Sequence, residues 1–311
     1  MFIVGAGLSG LIAASMLRDN IDRIWEAQKE LPNNHSALLR FRSSVVGDAT
    51  GIPFKKVQVM KAVVSTGNPV KDAISYSLKC TGKAELRSIT SATGAIEERY
   101  VAPDDFIQRL ANQVTDKISL NCGLDKGTRA TENQIISTIP MPALMDHLGW
   151  KDKPDFSYIG GTVVTCDLPS EIDIYATIYY PDPTFAPYRA SITGRRLMIE
   201  ISDVSQKSYE GPQFSFSIMD AVDSFGLCDY IDYVKDNSTV KRMQYAKISP
   251  IDEGIRKRFI LWASEKHNFY SLGRFATWRP GLLLDDIVND VRVIQRLING
   301  DHSPTYKARK G

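Results

Sequence analysis

The residues with the clearest chemical meaning in this chain form a glycine motif near its N-terminus, Gly5-Ala6-Gly7-Leu8-Ser9-Gly10. In a Gly-x-Gly-x-x-Gly pattern the first glycine permits a tight turn, and the second lets the backbone approach a pyrophosphate. The third allows the following helix to pack closely on a strand, and the free N–H groups at the start of that helix hold the anion. The motif therefore predicts a dinucleotide site, provided that its context agrees.

The context agrees at four points. Residues 2–4 predict a short buried strand, and residues 11–17 predict an apolar helix directly after the motif. Residues 21–25 predict a second strand, with Glu26 at its end, 21 positions after Gly5. A carboxylate at this place accepts hydrogen bonds from ribose hydroxyls and repels a 2′-phosphate, which favours FAD or NAD over NADP.

A second glycine turn, near the other end of the chain, favours FAD over NAD. Gly273-Arg274 precedes a closing amphipathic helix predicted over residues 285–298. The ribityl and phosphate part of a flavin needs a second helix N-terminus of this kind, which a nicotinamide enzyme does not usually need. We therefore predict FAD, bound between both ends of the chain.

Three separated pieces of the sequence resemble the glutathione-reductase-type flavoproteins of the amine oxidase and UDP-galactopyranose mutase branch. They are the glycine motif with Glu26, the segment Ile135-Ile-Ser-Thr-Ile-Pro140, and Gly273-Arg274 with the helix after it. The resemblance implies that FAD contacts residues from all three pieces. The expected contacts are Gly5, Ala6, Gly7, Leu8, Ser9, Gly10, Glu26, Ala27, Arg40, Ile118, Thr138, Pro140, Gly273, Arg274 and Leu283.

The sequence departs from this family just after Glu26. The family usually carries an Arg-x-Gly-Gly motif there, whereas this chain has LPNNHSALLR over residues 31–40, in which His35, Ser36 and Arg40 are the candidate substitutes. Residues 35–64 also resemble a segment of small flavoproteins encoded by tailed bacteriophages. Some of those proteins are implicated in thymine hypermodification, in which they oxidise a glycine attached to the base in DNA.

The order of the predicted elements indicates an α/β fold. We expect a Rossmann-type FAD-binding domain with an inserted, mostly antiparallel β substrate domain. Residues 1–70, 103–150 and 251–311 are assigned to the first, and residues 71–102 and 151–250 to the second. Outside the glycine motif, strands are predicted at residues 75–79, 86–89, 96–101, 117–121, 134–139, 161–166, 174–180, 196–200 and 258–263, and helices at residues 103–114 and 216–225.

Composition narrows the class of protein. The chain of 311 residues has 43% hydrophobic and 24% charged residues, which is ordinary for a soluble enzyme. It has no run of about 18 apolar residues to span a bilayer, so we expect a cytoplasmic protein, in the host cytoplasm if it is phage-encoded. A net charge of +2 does not by itself indicate nucleic-acid binding. The spacing of the four cysteines favours reduced thiols over a metal site, and no metal is expected.

Three residues are candidates for the chemistry itself. His35 lies in the segment expected near the flavin, and Trp278 is a candidate wall of the flavin pocket, with ordinary core packing as the alternative. Arg189 ends a proline-punctuated aromatic segment and is suited to clamp an anionic substrate group, although a surface arginine is equally compatible.

The leading hypothesis is an oxidase that takes a hydride from an amine or amino-acid carbon, giving an imine that water hydrolyses. A glycyl-type amine is the favoured substrate, and a modified thymine in DNA is one candidate carrier of it. The alternatives are a mutase acting on a sugar nucleotide through reduced flavin, and a flavin-binding protein without turnover. The sequence leaves the oligomeric state open.

Overall fold

The computed structural model describes residues 1–31, 38–86, 94–124, 133–205 and 212–300. His35 and Ser36 lie outside these described residues, as does most of the strand predicted at residues 86–89. The roles predicted for the two side chains therefore stay predictions.

The strands form two sheets. They are β1 (Phe2–Val4), β2 (Arg23–Trp25), β3 (Arg40–Phe41), β4 (Lys55–Val63), β5 (Ala95–Val101), β6 (Ile118–Ser119), β7 (Ile135–Ser137), β8 (Tyr158–Asp167), β9 (Ile174–Tyr179), β10 (Pro187–Gly194), β11 (Arg196–Ser202), β12 (Thr239–Ile248) and β13 (Phe269–Ser271). The first sheet has the order β13-β7-β1-β2-β6, and its strands pair in parallel. The second has the order β12-β8-β11-β10-β9-β4-β5-β3 and is antiparallel except between β4 and β9.

Helices cover both faces of the parallel sheet. They are α1 (Leu8–Leu17), α2 (Val45–Thr50), α3 (Pro69–Thr81), α4 (Phe106–Asn112), α5 (Met141–Leu148), α6 (Pro212–Asp223), α7 (Ile231–Asn237), α8 (Glu253–His267) and α9 (Leu284–Ile298). Helices α1, α2, α4 and α9 share one core with Ile3 and Ile24. Helices α5 and α8 share another with Val4 and Ile135, whose side chains point to the opposite face because strand residues alternate. A parallel sheet buried in this way requires the near-continuous apolar strands found here.

The larger sheet is apolar on one face only. Ile178, Ala190 and Ile199 pack on that face with Ala221 of α6 and Val234 of α7. Alternate residues of the same strands are polar and point to the other face. The expected fold class is confirmed: a Rossmann-type parallel sheet is joined to a second, mostly antiparallel sheet.

Two predicted strands are wrong, because both segments are helical. Residues 75–79 lie inside α3, which starts at Pro69 after Asn68, whose side chain accepts hydrogen bonds from the N–H groups of Val70 and Lys71 at 3.1 Å each. This is a helix N-cap followed by proline at the first helical position. The local start signal therefore outweighs the alternation that suggested a strand.

Residues 258–263 lie inside α8 rather than in a strand. The side chain of Asp252 accepts a hydrogen bond from Ile255 N at 2.7 Å and starts the helix, which ends at Asn268 in the left-handed conformation. Phe259 and Ala263, four positions apart, bury one stripe of the helix against the parallel sheet. A short apolar run suits a buried helix as well as a strand, which explains the error.

The strands also bear on the predicted division into domains. Strands β3 and β4 fall within residues 1–70, which were assigned to the FAD-binding domain, yet they pair in the larger sheet. The domain boundaries themselves stay a prediction. None of the described helices is both long and apolar enough to cross a membrane.

Candidate functional site

The glycine motif forms a tight turn between β1 and α1. Gly5 has a φ of +93°, and a Cβ atom there would overlap the Thr138 hydroxyl. A Cβ atom on Gly10 would overlap the carbonyl oxygen of Gly5, because α1 lies directly against the end of β1. Both positions therefore require glycine for the reasons that the sequence suggested.

Gly7 differs from the other two glycines, because a Cβ atom built on it meets no described atom within 4 Å. Its backbone is extended, with φ −73° and ψ 179°, and other residues adopt this conformation readily. Gly7 is the N-cap of α1, and no described side chain caps this helix. Among the described residues, the start of α1 is therefore uncapped and the space beside Gly7 is open, as an anion site requires.

Glu26 lies across this turn. One carboxylate oxygen accepts a hydrogen bond from Ala6 N at 2.7 Å and the other from Gln28 N at 2.9 Å. A carboxylate has about four acceptor positions, so both oxygens can accept further hydrogen bonds from ligand hydroxyls. The structure thus places the acid beside the glycine turn, where a ribose bound with the pyrophosphate would lie.

The two later pieces of sequence return to the same turn. Thr138 Oγ1 donates a hydrogen bond to Val4 O at 2.9 Å, and Leu272 N donates to Ser137 O at 2.9 Å. Gly273, with a φ of +94°, lies so close to Ser9 that a Cβ atom on it would be 2.7 Å from the serine hydroxyl. The three pieces that carry the family resemblance are therefore contiguous in space.

The remaining predicted cofactor residues lie at different distances from the turn. Pro140 begins α5, and Leu283 is the N-cap of α9. Ala27 follows Glu26 and is exposed, while Ile118 pairs with Ile24 on the strand beyond β2. None of these contacts to a cofactor is tested by the geometry, so they stay predictions.

The start of α9 holds the segment after residue 38 in place. Asp285 Oδ1 accepts hydrogen bonds from Arg42 N at 2.9 Å and Ser43 N at 3.0 Å. The carboxylate fixes this chain segment, in which the family motif is missing, against the C-terminal helix. Arg40 and Arg42 lie two positions apart, and Arg40 reaches the polar face of the larger sheet.

The described residues at the centre of that polar face carry an excess of positive charge, and we call this region the basic face. Its charged side chains are Arg40, Arg189, Lys247 and Glu200. Arg189 and Glu200 alter the pKa of both Arg40 and Lys247, and Arg274 alters the pKa of Lys247. Since Arg274 directly follows Gly273, the basic face adjoins the glycine turn. Among the described residues, three cations thus lie around Glu200 next to the candidate cofactor site.

Arg189 is engaged within the chain. Its guanidinium pairs with Glu200 on the neighbouring strand through two hydrogen bonds, of which Nη2 to Oε1 measures 2.8 Å, and Tyr188 donates to the same oxygen at 2.8 Å. Burial alone would raise the pKa of Glu200, but Arg189 outweighs it and lowers this pKa to about 2. A direct clamp on a substrate anion stays a prediction for Arg189, whose nearest donors already serve Glu200.

Arg40 lies at the opposite side of the basic face. Its Nη2 donates to Thr177 Oγ1, while its buried Nε and Nη1 have no hydrogen-bond partner among the described residues. Burial, together with the positive charge of Arg189, lowers the pKa of Arg40 to about 10. Buried donors of this kind are costly unless a partner arrives. The cofactor contact predicted for Arg40 stays a prediction, and its guanidinium lies against the larger sheet.

Trp278 lies in the protein core. Its side chain is 1% exposed, packs edge-on against Phe156 at 4.7 Å between ring centroids, and donates from Nε1 to Ser249 O at 3.0 Å. Its backbone is in the left-handed region, with a φ of +46°, which is uncommon for a bulky residue. These contacts agree with ordinary core packing of Trp278, and its catalytic role stays a prediction.

Lys79 and Lys247 were missed by the sequence reasoning. Lys79 is 6% exposed, and its ammonium donates to the carbonyl oxygens of Tyr180, Asp182, Phe185 and Pro187 at 2.7 to 3.0 Å. It fixes the aromatic segment that precedes Arg189. No local pattern marks either lysine, because their partners lie on other strands and loops.

No protein-family model matches the sequence, and no curated protein matches it. Solved structures do match its fold. A reduced UDP-galactopyranose mutase has a TM-score of 0.63 at 15% identity, with 97% of this chain and 96% of that chain covered. A flavoprotein/dehydrogenase from Cytophaga hutchinsonii has a TM-score of 0.58 at 12% identity, covering 98% and 80%. A 2-methyl-3-hydroxypyridine-5-carboxylic acid oxygenase has a TM-score of 0.51 at 13% identity, covering 96% and 87%. At these identities the likeness establishes a fold that the chain shares with flavoproteins over nearly its whole length.

Proposed function

We propose that this protein is an FAD-dependent oxidoreductase. The observation that carries the proposal is the junction at the glycine turn, where Glu26, Thr138 and Gly273 meet residues 5–10. The open space over Gly7 and the uncapped start of α1 fit a pyrophosphate, and the flavoprotein fold supports a flavin as its carrier.

Different residues of the chain would bind the cofactor and orient the substrate. The N–H groups at the start of α1 would hold the pyrophosphate, and Glu26 would accept hydrogen bonds from the ribose. Bound FAD would supply the hydride acceptor. The basic face would orient the substrate, because it adjoins the turn through Arg274 and because its described cations, Arg40, Arg189 and Lys247, outnumber its one carboxylate, Glu200.

Within this class we propose oxidation of an amine or amino-acid group as the reaction. Aromatic side chains near this part of the chain are compatible with it: Tyr245 packs against Tyr158 and against Phe275, the residue that follows Arg274, and a neutral amine requires an apolar site. A glycyl group, free or carried on a modified thymine in DNA, is the substrate proposed from the sequence resemblance.

The visible absorbance of the purified protein tests the cofactor. We expect a flavin spectrum, and the flavin released by heating should run as FAD in chromatography. A flavin-free preparation that cannot be reconstituted with FAD would falsify the proposal.

A peroxide assay then tests the reaction. Small amines, amino acids, glycylated thymine in DNA and UDP-sugars are offered to the oxidised protein. An amine-containing compound should bleach the flavin in the absence of oxygen, and the reduced flavin should yield peroxide when oxygen is admitted. Turnover of a UDP-sugar only after flavin reduction, without peroxide, would replace the oxidase with a mutase. This alternative has one supporting observation, the shared fold with UDP-galactopyranose mutase.

A further inference from the structure

The charges of the basic face do not balance. Among the described residues, Arg40, Arg189 and Lys247 carry three positive charges around Glu200. Like charges in a partly buried site of low dielectric repel strongly, and such a site is stabilised when an anion enters it. The question is therefore which of these three cations has donors to offer to an anion.

Lys247 has donors that are not shared with another described residue. Its ammonium lies 4.6 Å from the centre of the Tyr188 ring, a favourable cation–π distance, and its side chain is only partly buried. Within the described part of the chain no group accepts a hydrogen bond from it, so its three N–H donors are available. Arg189, in contrast, already shares its donors with Glu200.

We propose that Lys247 binds an anionic group of the substrate, a carboxylate or a phosphate, and that at alkaline pH it takes up a proton from solvent when that group binds. The proposal extends the proposed function, since it places the substrate of that oxidoreductase on the basic face. Above its pKa, where the amine is neutral, the nitrogen takes one proton from solvent, forms one N–H bond and pairs with the anion as an ammonium; no other covalent bond forms or breaks.

The proton uptake follows from the surroundings of Lys247. Burial, reinforced by Arg189 and Arg274, lowers its pKa to about 8, while Glu200 and Cys80 act in the opposite direction. Tyr76 of α3 and Tyr188 also face this cluster, and burial raises both of their pKa values well above 10.0, so they stay neutral near pH 8. An added anion opposes the effect of the two arginines and favours the ammonium.

The pH dependence can be calculated from this pKa. If only the ammonium form binds, the apparent Kd rises in proportion to one plus the ratio of neutral to charged lysine. With a pKa of about 8, the affinity should weaken about tenfold between pH 7 and pH 9. Below pH 7 it should be nearly constant, because the lysine is then already charged.

Calorimetric titration of the purified protein, with whatever flavin it carries, tests the proposal. The probes are sulfate and benzoate, which stay fully ionised over this pH range and represent a phosphate and a carboxylate. Titrations at pH 7 to 9, in buffers of different ionisation enthalpy, give both the Kd and the protons taken up. The probe that binds more tightly identifies the preferred anion.

Three variants make the result specific. Lys247→Arg keeps the charge but does not titrate, so it should bind the anion without proton uptake and without the tenfold change. Lys247→Met should bind at least about tenfold more weakly at pH 7, the loss expected for one hydrogen bond to a charged group. Lys241→Met, at an exposed lysine of the same strand, removes the same charge and should behave like the wild type.

The proposal is overturned if neither probe binds the wild type at pH 7, or if Lys247→Arg keeps the pH dependence, which would assign the titration to another group such as Cys80. It is equally overturned if Lys247→Met binds as tightly as Lys241→Met. The flavin spectrum is read separately. Anion binding with proton uptake in a protein that binds no FAD would support this inference while refuting the proposed function.

Discussion

The substitution Gly7→Ala separates the folding role of the glycine motif from its binding role. A methyl group at Gly7 meets no described atom within 4 Å, whereas the same group at Gly10 would overlap the carbonyl oxygen of Gly5. We therefore expect Gly7→Ala to leave the flavin-free protein folded and Gly10→Ala to disturb the turn itself. Both variants should lose FAD affinity, but only the second should lose stability.

The magnitudes follow from packing energies. Adding a methyl group to a filled interface costs about 1–3 kcal/mol, and each 1.4 kcal/mol is tenfold in Kd, so Gly7→Ala should weaken FAD binding about 5- to 150-fold. Its stability should change by less than about 1 kcal/mol, since the extended backbone of Gly7 suits alanine. Gly10→Ala should lose about 1–3 kcal/mol of folding free energy.

The assay uses flavin-free protein. FAD affinity is measured by quenching of flavin fluorescence on titration, and folding free energy by urea denaturation without FAD. A Gly7→Ala protein that binds FAD as the wild type does would show that no pyrophosphate lies over this residue. A Gly7→Ala protein as unstable as Gly10→Ala would show that the added methyl group at Gly7 clashes with other atoms of the flavin-free protein.

Two further substitutions test the basic face and the segment beside it. Glu200→Gln leaves Arg189 without its ion partner and should cost about 3 kcal/mol at pH 7, whereas Glu98→Gln, at an exposed carboxylate of the same sheet, should cost little. Folding lowers the pKa of Glu200 from 4.5 to about 2, so its contribution to the folding free energy is complete above pH 5 and should disappear as the pH falls from 4.5 to 2. Urea denaturation of the wild type and Glu200→Gln at several pH values measures this change. A difference in folding free energy that does not vary with pH would contradict it. Lys79→Met leaves four carbonyl oxygens without their donor and should cost about 3 kcal/mol or more, while Lys71→Met, at an exposed lysine on the same helix, should not. Equal thermal midpoints for the two lysine variants would contradict this role for Lys79.

The sequence by itself determined the glycine turn and its acid. Gly5, Gly10 and Glu26 are constrained by interactions within one strand–helix–strand unit, so their spacing along the chain nearly fixes their spacing in space. The same holds for the helix that begins near Asp285, whose start is marked by adjacent acidic residues. Local rules of this kind were also available for α3, where Asn68 and Pro69 mark the start of the helix, but the strand interpretation of residues 75–79 overlooked them.

Only the tertiary structure decided which charged residues meet on the basic face. Arg189 meets Glu200 because β10 and β11 pair in one register, and Lys247 reaches the same cluster from β12, two strands further across the sheet. Strand order and register depend on the packing of the whole sheet, and a single sequence does not reveal them. The pKa of Lys247 depends on burial and on charges from distant segments of the chain. The sequence around Lys247 therefore contains no pattern that predicts its role.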